Sequence, residues 1–365
     1  MDEDYPVTLL SRMLEIYSPS GNEKEMSEFL AGEMKRLGYD VEVDEVGNVL
    51  GRIGAGLPKV LLCGHMDTVE GFIEVKRRGK VIFGRGAVDA KSSLAAFICG
   101  ARRFVDLGGK GTISVLAVVD EEGKSEGMKH YLSRTSETFD FAVFGEPSGA
   151  YSVTIGYKGR IVFSVECTTA PGHASAPQLF ENAIYVAIRL IDKLRSMEAE
   201  WEKVGEIFDM PTMCVTLING GSQDNTIPGR CEFSVDVRVP PSRGVHDLKG
   251  RVAGVIEDFK GGERRAKIRY DFKDENMPFV ESEDSVMVRA FRDSIMAVKG
   301  RECKLIKKTG TSDVNEFVKK FRIPTVVYGP GNSRLDHTPN ENISIEEYSD
   351  SIEVITRALM NLSQG

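Results

Sequence analysis

Four clusters of histidine or acidic residues share one address in this chain, the loop just after an apolar run. In LLCGHMDTV, His65 and Asp67 stand two apart, so both can point the same way from a strand end. One would serve as a metal ligand and the other as the carboxylate that orients its ring. Asp89 follows a glycine-rich turn in FGRGAVDAKSS, Asp120, Glu121 and Glu122 end the apolar run VLAVV, and Glu146 ends FAVFG. His337 lies in the Pro/Asn-rich stretch NSRLDHTPNE. Taken singly, each has a plain alternative: a solvated turn, a capping carboxylate or, for His337, a surface histidine. As a set they resist that reading, because adjacent glutamates at the end of a buried strand repel each other unless a cation or a proton transfer needs them. Two histidines and three carboxylates suit zinc, with cobalt or manganese as substitutes. Rival chemistries find little support, since CxxC, HExxH and GxxxxGK(S/T) are all absent.

Elements that alternate in type must hold these loops. Helical spacing of apolar residues runs over 22–37, with Asn22 as N-cap and Gly38 closing it. Strands are predicted at 59–63, 112–119 and 141–144, and helices at 91–106 and 124–134. Such alternation implies a mostly parallel sheet covered on both faces, with ligands at the carboxyl ends of its strands. The middle of the chain changes order: strand 161–168, helix 181–195, strands 213–218 and 231–239, helix 245–259, strand 267–272. This βαββαβ order makes a small ferredoxin-like sandwich that starts and ends near one place, as an inserted domain must. The α/β pattern then resumes with helix 285–298, strand 303–307, helix 312–320, strand 325–328 and helix 345–362. The predicted fold is therefore α/β, with a discontinuous catalytic domain (1–157 and 274–365) and an inserted ferredoxin-like α+β domain (158–273).

A chain of 365 residues, 41% hydrophobic and 28% charged, is long enough for two cores. Its formal charge of -8 gives no global basic field, which argues against a nucleic-acid partner. Six scattered cysteines without a CxxC pair fit reduced, core-filling thiols in a cytoplasm. An acidic N-terminus, MDEDYPVTLL, is unlike a signal peptide, and no apolar run approaches the ~20 residues that cross a bilayer. His130 and His246 read as surface residues.

The segments GHMDTV, GRGAVDAKSSLAA, DEEGKSEG, GEPSG, GHASAP, NTIP, DVRVP, GTSD and DHTPNE, in this order, resemble the co-catalytic zinc peptidase family of glutamate carboxypeptidases, succinyl-diaminopimelate desuccinylases and acetylornithine deacetylases. The resemblance covers essentially the whole chain. It implies that His65 and Glu146 bind one metal, Glu122 and His337 the other, and that Asp89 bridges the two. It further implies that Asp67 supports His65 and that Glu121 is the general base. Many relatives have Met-Lys-Gly after the bridging aspartate, where this chain has Ala90-Lys91-Ser92. The inserted domain resembles the family's lid and dimerisation domain. Within it, His173 in APGHASAP resembles the histidine that reaches a neighbouring subunit's site to polarise the scissile carbonyl. Arg238 in DVRVP resembles a clamp for a substrate carboxylate, and Asn225 in NTIP a substrate contact. Read from the residues alone, these three are equally a loop histidine, an outward strand residue and a turn former.

Finer details, among them GYKGR, KTGTSD and SRLDHTPNE, look most like the lysine-biosynthesis branch. The resemblance implies release of lysine or ornithine from an acidic amino-group carrier protein by cutting the amide to the carrier's C-terminal glutamate. A basic patch would then face the carrier, from Lys76, Arg77, Arg78 and Lys80 or from Lys307 and Lys308, although charges of this kind usually form a solvated face. The alternative is the same two-metal chemistry on small substrates: an N-acetyl-lysine or N-acetylornithine deacetylase, a succinyl-diaminopimelate desuccinylase or a dipeptidase. A non-catalytic scaffold that kept the fold is the reading from another class, and the intact ligand set speaks against it.

Overall fold

The computed structural model of the chain describes residues 4–201 and 205–364. Two compact units emerge, the first made of Met1–Ile155, Glu281–Lys307 and Ser312–Gly365, the second of Gly156–Val280 with Lys308–Thr311. Each unit has its own apolar core.

In the first unit, Gly111–Val118, Lys59–His65, Phe141–Phe144 and Thr325–Val327 lie side by side and parallel. The flanks are antiparallel: Asp40–Val43 and Val49–Ala55 on one side, Ser152–Tyr157 on the other. The sheet is thus mixed, and the expected parallel order holds for its centre. A short turn explains one flank, because the Asp44 carboxylate accepts the backbone N–H groups of Val46, Gly47 and Asn48 and reverses the chain between adjacent strands.

Side-chain alternation splits this sheet into two buried faces. Val60, Leu62, Val115 and Val143 join one core with helices Tyr5–Glu15, Lys91–Asp106, Val286–Lys299 and Ile345–Leu362. Phe144 points the other way and meets Phe317 of helix Asp313–Lys320 at 5.1 Å between ring centroids. The result is a helix–sheet–helix sandwich whose four parallel strands release their carboxyl ends at one edge.

Three helix starts fall two residues later than the sequence reading, the one expected from 181 at Ala183 after its cap Asn182. Glu23, not Asn22, precedes the helix Lys24–Arg36, and its carboxylate turns back to accept the N–H groups of Gly21 and Asp120. The helix expected from 124 begins at Glu126, because the Asp120 carboxylate takes the N–H groups of Lys124 and Glu126 and Ser125 is left-handed (φ 54°). Helix Tyr5–Glu15, strand Ser152–Tyr157 and a small sheet of Asn342–Ser344, Val81–Phe83 and Lys76–Arg78 were not anticipated.

The second unit follows the βαββαβ order: Gly159–Thr168, Ala183–Ala199, Thr212–Gly220, Arg230–Val239, Val245–Gly262 and Lys267–Asn276. Its sheet is antiparallel in the order Thr212–Gly220, Arg230–Val239, Gly159–Thr168, Lys267–Asn276. Ile161, Phe163, Val165 and Cys167 alternate inward toward both helices. Of the six cysteines, all free, Cys214 is exposed and Cys303 half-buried, so these two are not core filler. Among the described residues no helix is long and apolar enough to cross a membrane.

Candidate metal centre

All four central strands deliver a candidate residue to the same edge. His65 is the last residue of its strand, Glu121 and Glu122 follow Gly111–Val118, Glu146 follows Phe141–Phe144, and His337 lies in the loop after Thr325–Val327. Asp89 arrives from the turn before helix Lys91–Asp106. These residues form two groups whose donor atoms lie within 4.8 Å of one another: His65, Glu121 and Glu146, and Asp89, Glu122 and His337. Asp89 also connects the groups, with Oδ1 3.3 Å from His65 Nε2 and Oδ2 3.1 Å from His337 Nε2. His337 Nε2 is also 2.8 Å from Glu122 Oε1. Glu121 sits with His65 and Glu146, closer to the ligand set than its reading as a spared base required.

Hydrogen bonding sets the tautomer of His65. Its Nδ1 lies 3.0 Å from the backbone oxygen of Asp67, which can only accept, so Nδ1 carries a proton and Nε2 is the nitrogen left to face the centre. The Asp67 carboxylate is a further 3.4 Å contact to the same nitrogen. The carbonyl is thus the nearer partner, and the carboxylate does something else, since it accepts the N–H groups of Glu121 and Glu122 at 3.1 Å each and the Ser20 hydroxyl at 2.7 Å. Burial works against its charge, but these donors and His65 hold Asp67 below the usual carboxylate range.

The electrostatics of the cluster demand positive charge. Burial and the neighbouring Glu146 push Glu121 well above the carboxylate range. Hydrogen bonds to Asp89 and Glu122 push His337 up to about 10. Burial alone would lower His65, yet Asp67 and Asp89 raise it well above an ordinary histidine. A carboxylate-rich pocket that pulls protons onto both imidazoles is satisfied equally by cations bound in their place. The donor set of imidazole nitrogens and carboxylate oxygens therefore fits two divalent ions.

Several supports lay beyond sequence reasoning because they are long-range. Glu341 accepts the N–H groups of Val88 and Asp89 and pairs with Arg85. Lys91, buried behind Asp89, donates to the backbone oxygens of Met13 and Ile16 at the end of the first helix. Glu347 accepts from Ala150 and Gly331, joining the loops beyond Glu146 and before His337. Gly145 is required by close packing: a Cβ there would sit 2.9 Å from Phe97 and 3.1 Å from Ser93 of the helix behind it. Buried Asp313, from the GTSD segment, is raised to about 7, first by burial.

In the second unit, strand Gly172–His173 pairs with Thr226–Ile227, so His173 and Asn225 share one corner. Both are exposed. His173 Nδ1 accepts the N–H of Ser175 at 3.2 Å, which leaves its proton on Nε2, free to donate. Asn225 accepts the Ala174 N–H through its backbone oxygen. Arg238 already grips a carboxylate, with Nε 2.6 Å and Nη2 3.2 Å from the oxygens of Asp236.

The family model described as peptidase family M20/M25/M40 matches residues 61–361. A candidate LysW-lysine/LysW-ornithine hydrolase of Thermococcus kodakarensis is 35% identical, covering 98% of this chain and 92% of the relative. The LysW-lysine hydrolase of Deinococcus radiodurans is 33% identical, covering 98% and 97%. Among solved structures, the aminopeptidase PepT of Bacillus cereus superposes with a TM-score of 0.83 at 21% identity over the full length of both chains. The M20 family metallo-carboxypeptidase Sso-CP2 of Sulfolobus solfataricus gives 0.83 at 19%, again over both full lengths. At such identities the two structures speak to the fold.

Proposed function

This chain belongs to peptidase family M20/M25/M40, and from that premise we propose that it releases lysine or ornithine from the carrier protein LysW by hydrolysing the amide that joins them. One observation carries the two-ion chemistry: the two oxygens of Asp89 lie 3.3 and 3.1 Å from the ring nitrogens of two different histidines. The substrate reading leans on two relatives, at 35% and 33% identity, that are hydrolases of LysW conjugates by name.

In this reading His65 and Glu146 hold one ion, Glu122 and His337 the other, and Asp89 bridges them; zinc suits the donors and cobalt can replace it. When bound, the ions supply Lewis acidity, polarising the amide carbonyl and bringing a water's pKa toward about 7. Glu121 takes the proton of the attacking water and passes it to the departing amine. Burial and Glu146 raise the affinity of Glu121 for a proton, which suits a group that must take one from water. His173 donates Nε2–H to the developing oxyanion. Arg238 and Asn225 contact the substrate, Arg238 with the N–H groups that Asp236 leaves over.

The second unit acts as lid and dimerisation domain. Strand Thr212–Gly220 lies at a sheet edge, exposes Leu217 and Ile218, and is flanked by exposed Tyr185 and Ile188 on the adjacent helix, which supports pairing with a second copy. Lys76, Arg77 and Arg78, exposed along one strand, with Lys80 beside them, offer a basic face to the carrier. Free cysteines fit a reducing cytoplasm.

The deciding assay supplies purified carrier conjugates of lysine and ornithine beside acetyl-lysine, acetylornithine, succinyl-diaminopimelate and simple dipeptides, with zinc or cobalt, and reads free amino acid. Faster release from the small acyl substrates than from the conjugates would transfer the chain to the deacylases or dipeptidases.

A further inference from the structure

We infer that Glu341 is the positioning residue that fixes Asp89 between the two ion sites, acting with Arg85 as a clamp on both ligand loops. The inference rests on the proposed bridging role of Asp89 and deepens it. Glu341 is fully buried at 0% exposure and Arg85 nearly so at 6%. One oxygen of Glu341 accepts two consecutive backbone donors, Val88 N–H at 2.8 Å and Asp89 N–H at 2.9 Å. The other oxygen is 2.9 Å from Arg85 Nη1. Arg85 in turn donates from Nη1 to the backbone oxygen of Thr338 at 3.2 Å and from Nε to that of Gly71 at 2.9 Å. Thr338 directly follows His337, so one ion pair grips the backbone of Asp89 and of the loop that carries His337.

A bridging carboxylate must aim each oxygen at a different ion, and its aim is set by where the backbone points Cβ. Asp89 follows the glycine-rich turn RGAVD, and Gly86 in that turn takes a positive φ of 89°, so local chain preference does little to fix the residue. Two N–H groups converging on one fixed oxygen remove that freedom. The pair is also a poor source of stability by itself, since the desolvation of two buried charges roughly offsets their attraction. Its distinctive contribution is a rigid acceptor at a defined place, which in metal sites is commonly worth 10–100-fold in affinity. Because Arg85 also holds Thr338, the ion at the Asp89–Glu122–His337 group should feel the loss most.

The test is a zinc titration of chelator-stripped protein by calorimetry, with cobalt absorption as a second readout. Wild type should take up two ions per chain. Glu341→Asp keeps the charge opposite Arg85 but draws the carboxylate back by about 1.5 Å, one carbon–carbon bond. It should retain one tight ion and bind the other 10–100-fold more weakly, while its melting temperature in chelator stays within a few degrees of wild type. Glu341→Gln keeps an acceptor oxygen for the two N–H groups and leaves Arg85 on Thr338, and should bind the second ion more tightly than Glu341→Asp. Wild-type affinity for both ions in Glu341→Asp overturns the inference, as does an equal loss of both ions in the two variants. If wild type itself takes only one ion, the two-ion reading fails, and the clamp is judged on whether Glu341→Asp weakens that single ion.

Discussion

The Asp67 carboxylate lies 3.1 Å from the backbone nitrogen of Glu121, and its second oxygen is as close to that of Glu122. A residue two positions beyond His65 therefore holds the turn that carries both glutamates, and the orientation of the first histidine and the placement of the proposed base are one structural event. Asp67→Ala would take the acceptors from those half-buried N–H groups, at up to about 1–3 kcal/mol each. Expected are a lower melting temperature in chelator and weakened metal binding, whereas Asp67→Asn, which keeps one accepting oxygen, should lose less. Equal melting of Asp67→Ala and wild type would remove the carboxylate from this role.

Replacing Glu121 with Gln keeps its shape and removes its proton chemistry. The variant should lose about 10²–10⁴-fold in kcat while metal content measured by mass spectrometry stays at the wild-type value. Because Glu121 stands in one group with His65 and Glu146, a parallel loss of metal would instead make it a ligand.

Metal uptake should release protons. His337 is held at about 10 by Asp89 and Glu122, so at pH 7.5 its ring carries a proton that an incoming ion must displace. Calorimetry in two buffers of different ionisation enthalpy should report at least about one proton released per pair of ions, with affinity rising as pH climbs from 6.5 toward 9. The sign for stability in chelator is the opposite. A histidine raised above its unfolded value of 6.5 stabilises the fold fully below that pH, and the contribution fades as pH rises through about 10. A proton count near zero would mean the ring is neutral before the ion arrives.

His173→Ala should lower kcat by about 10²–10³-fold with metal content unchanged, as expected for removal of one oxyanion donor. If this histidine serves a partner's site, mixing His173→Ala chains with Glu121→Gln chains should restore activity, because the mixed dimer contains one site with both groups intact. No recovery after verified subunit exchange would place His173 in its own chain's site or out of the reaction.

The candidate ligand positions other than Asp89 were legible because each ends or follows an apolar strand of the parallel centre, whose carboxyl ends share one edge, whereas Asp89 arrives from a turn before a helix. The βαββαβ order of the insertion was legible for a similar reason, since its strands alternate cleanly, as Ile161, Phe163 and Val165 do. Glu341, Glu347 and Glu23 were not. Each is a single carboxylate whose partners are backbone N–H groups of other loops, as far as 253 residues away for Glu341 and Val88, and backbone donors leave no trace in residue type. Local capping misled for a related reason. Asn22 reads as a helix cap, yet the turn it begins is governed by Glu23, whose oxygen is drawn toward Asp120. The basic run Lys76–Arg78 reads as a charged surface stretch, and only pairing with Val81–Phe83 makes it a strand.

Lys91 gives the first helix a meaning its position in the chain does not suggest. Its ammonium ends on the carbonyls of Met13 and Ile16, so the segment 4–16 is tied to the turn that carries Asp89. Cutting it away would take both acceptors from that ammonium and uncover the core that Leu9, Leu10, Met13 and Leu14 fill, so the setting of Asp89 and the packing of the unit stand or fall together.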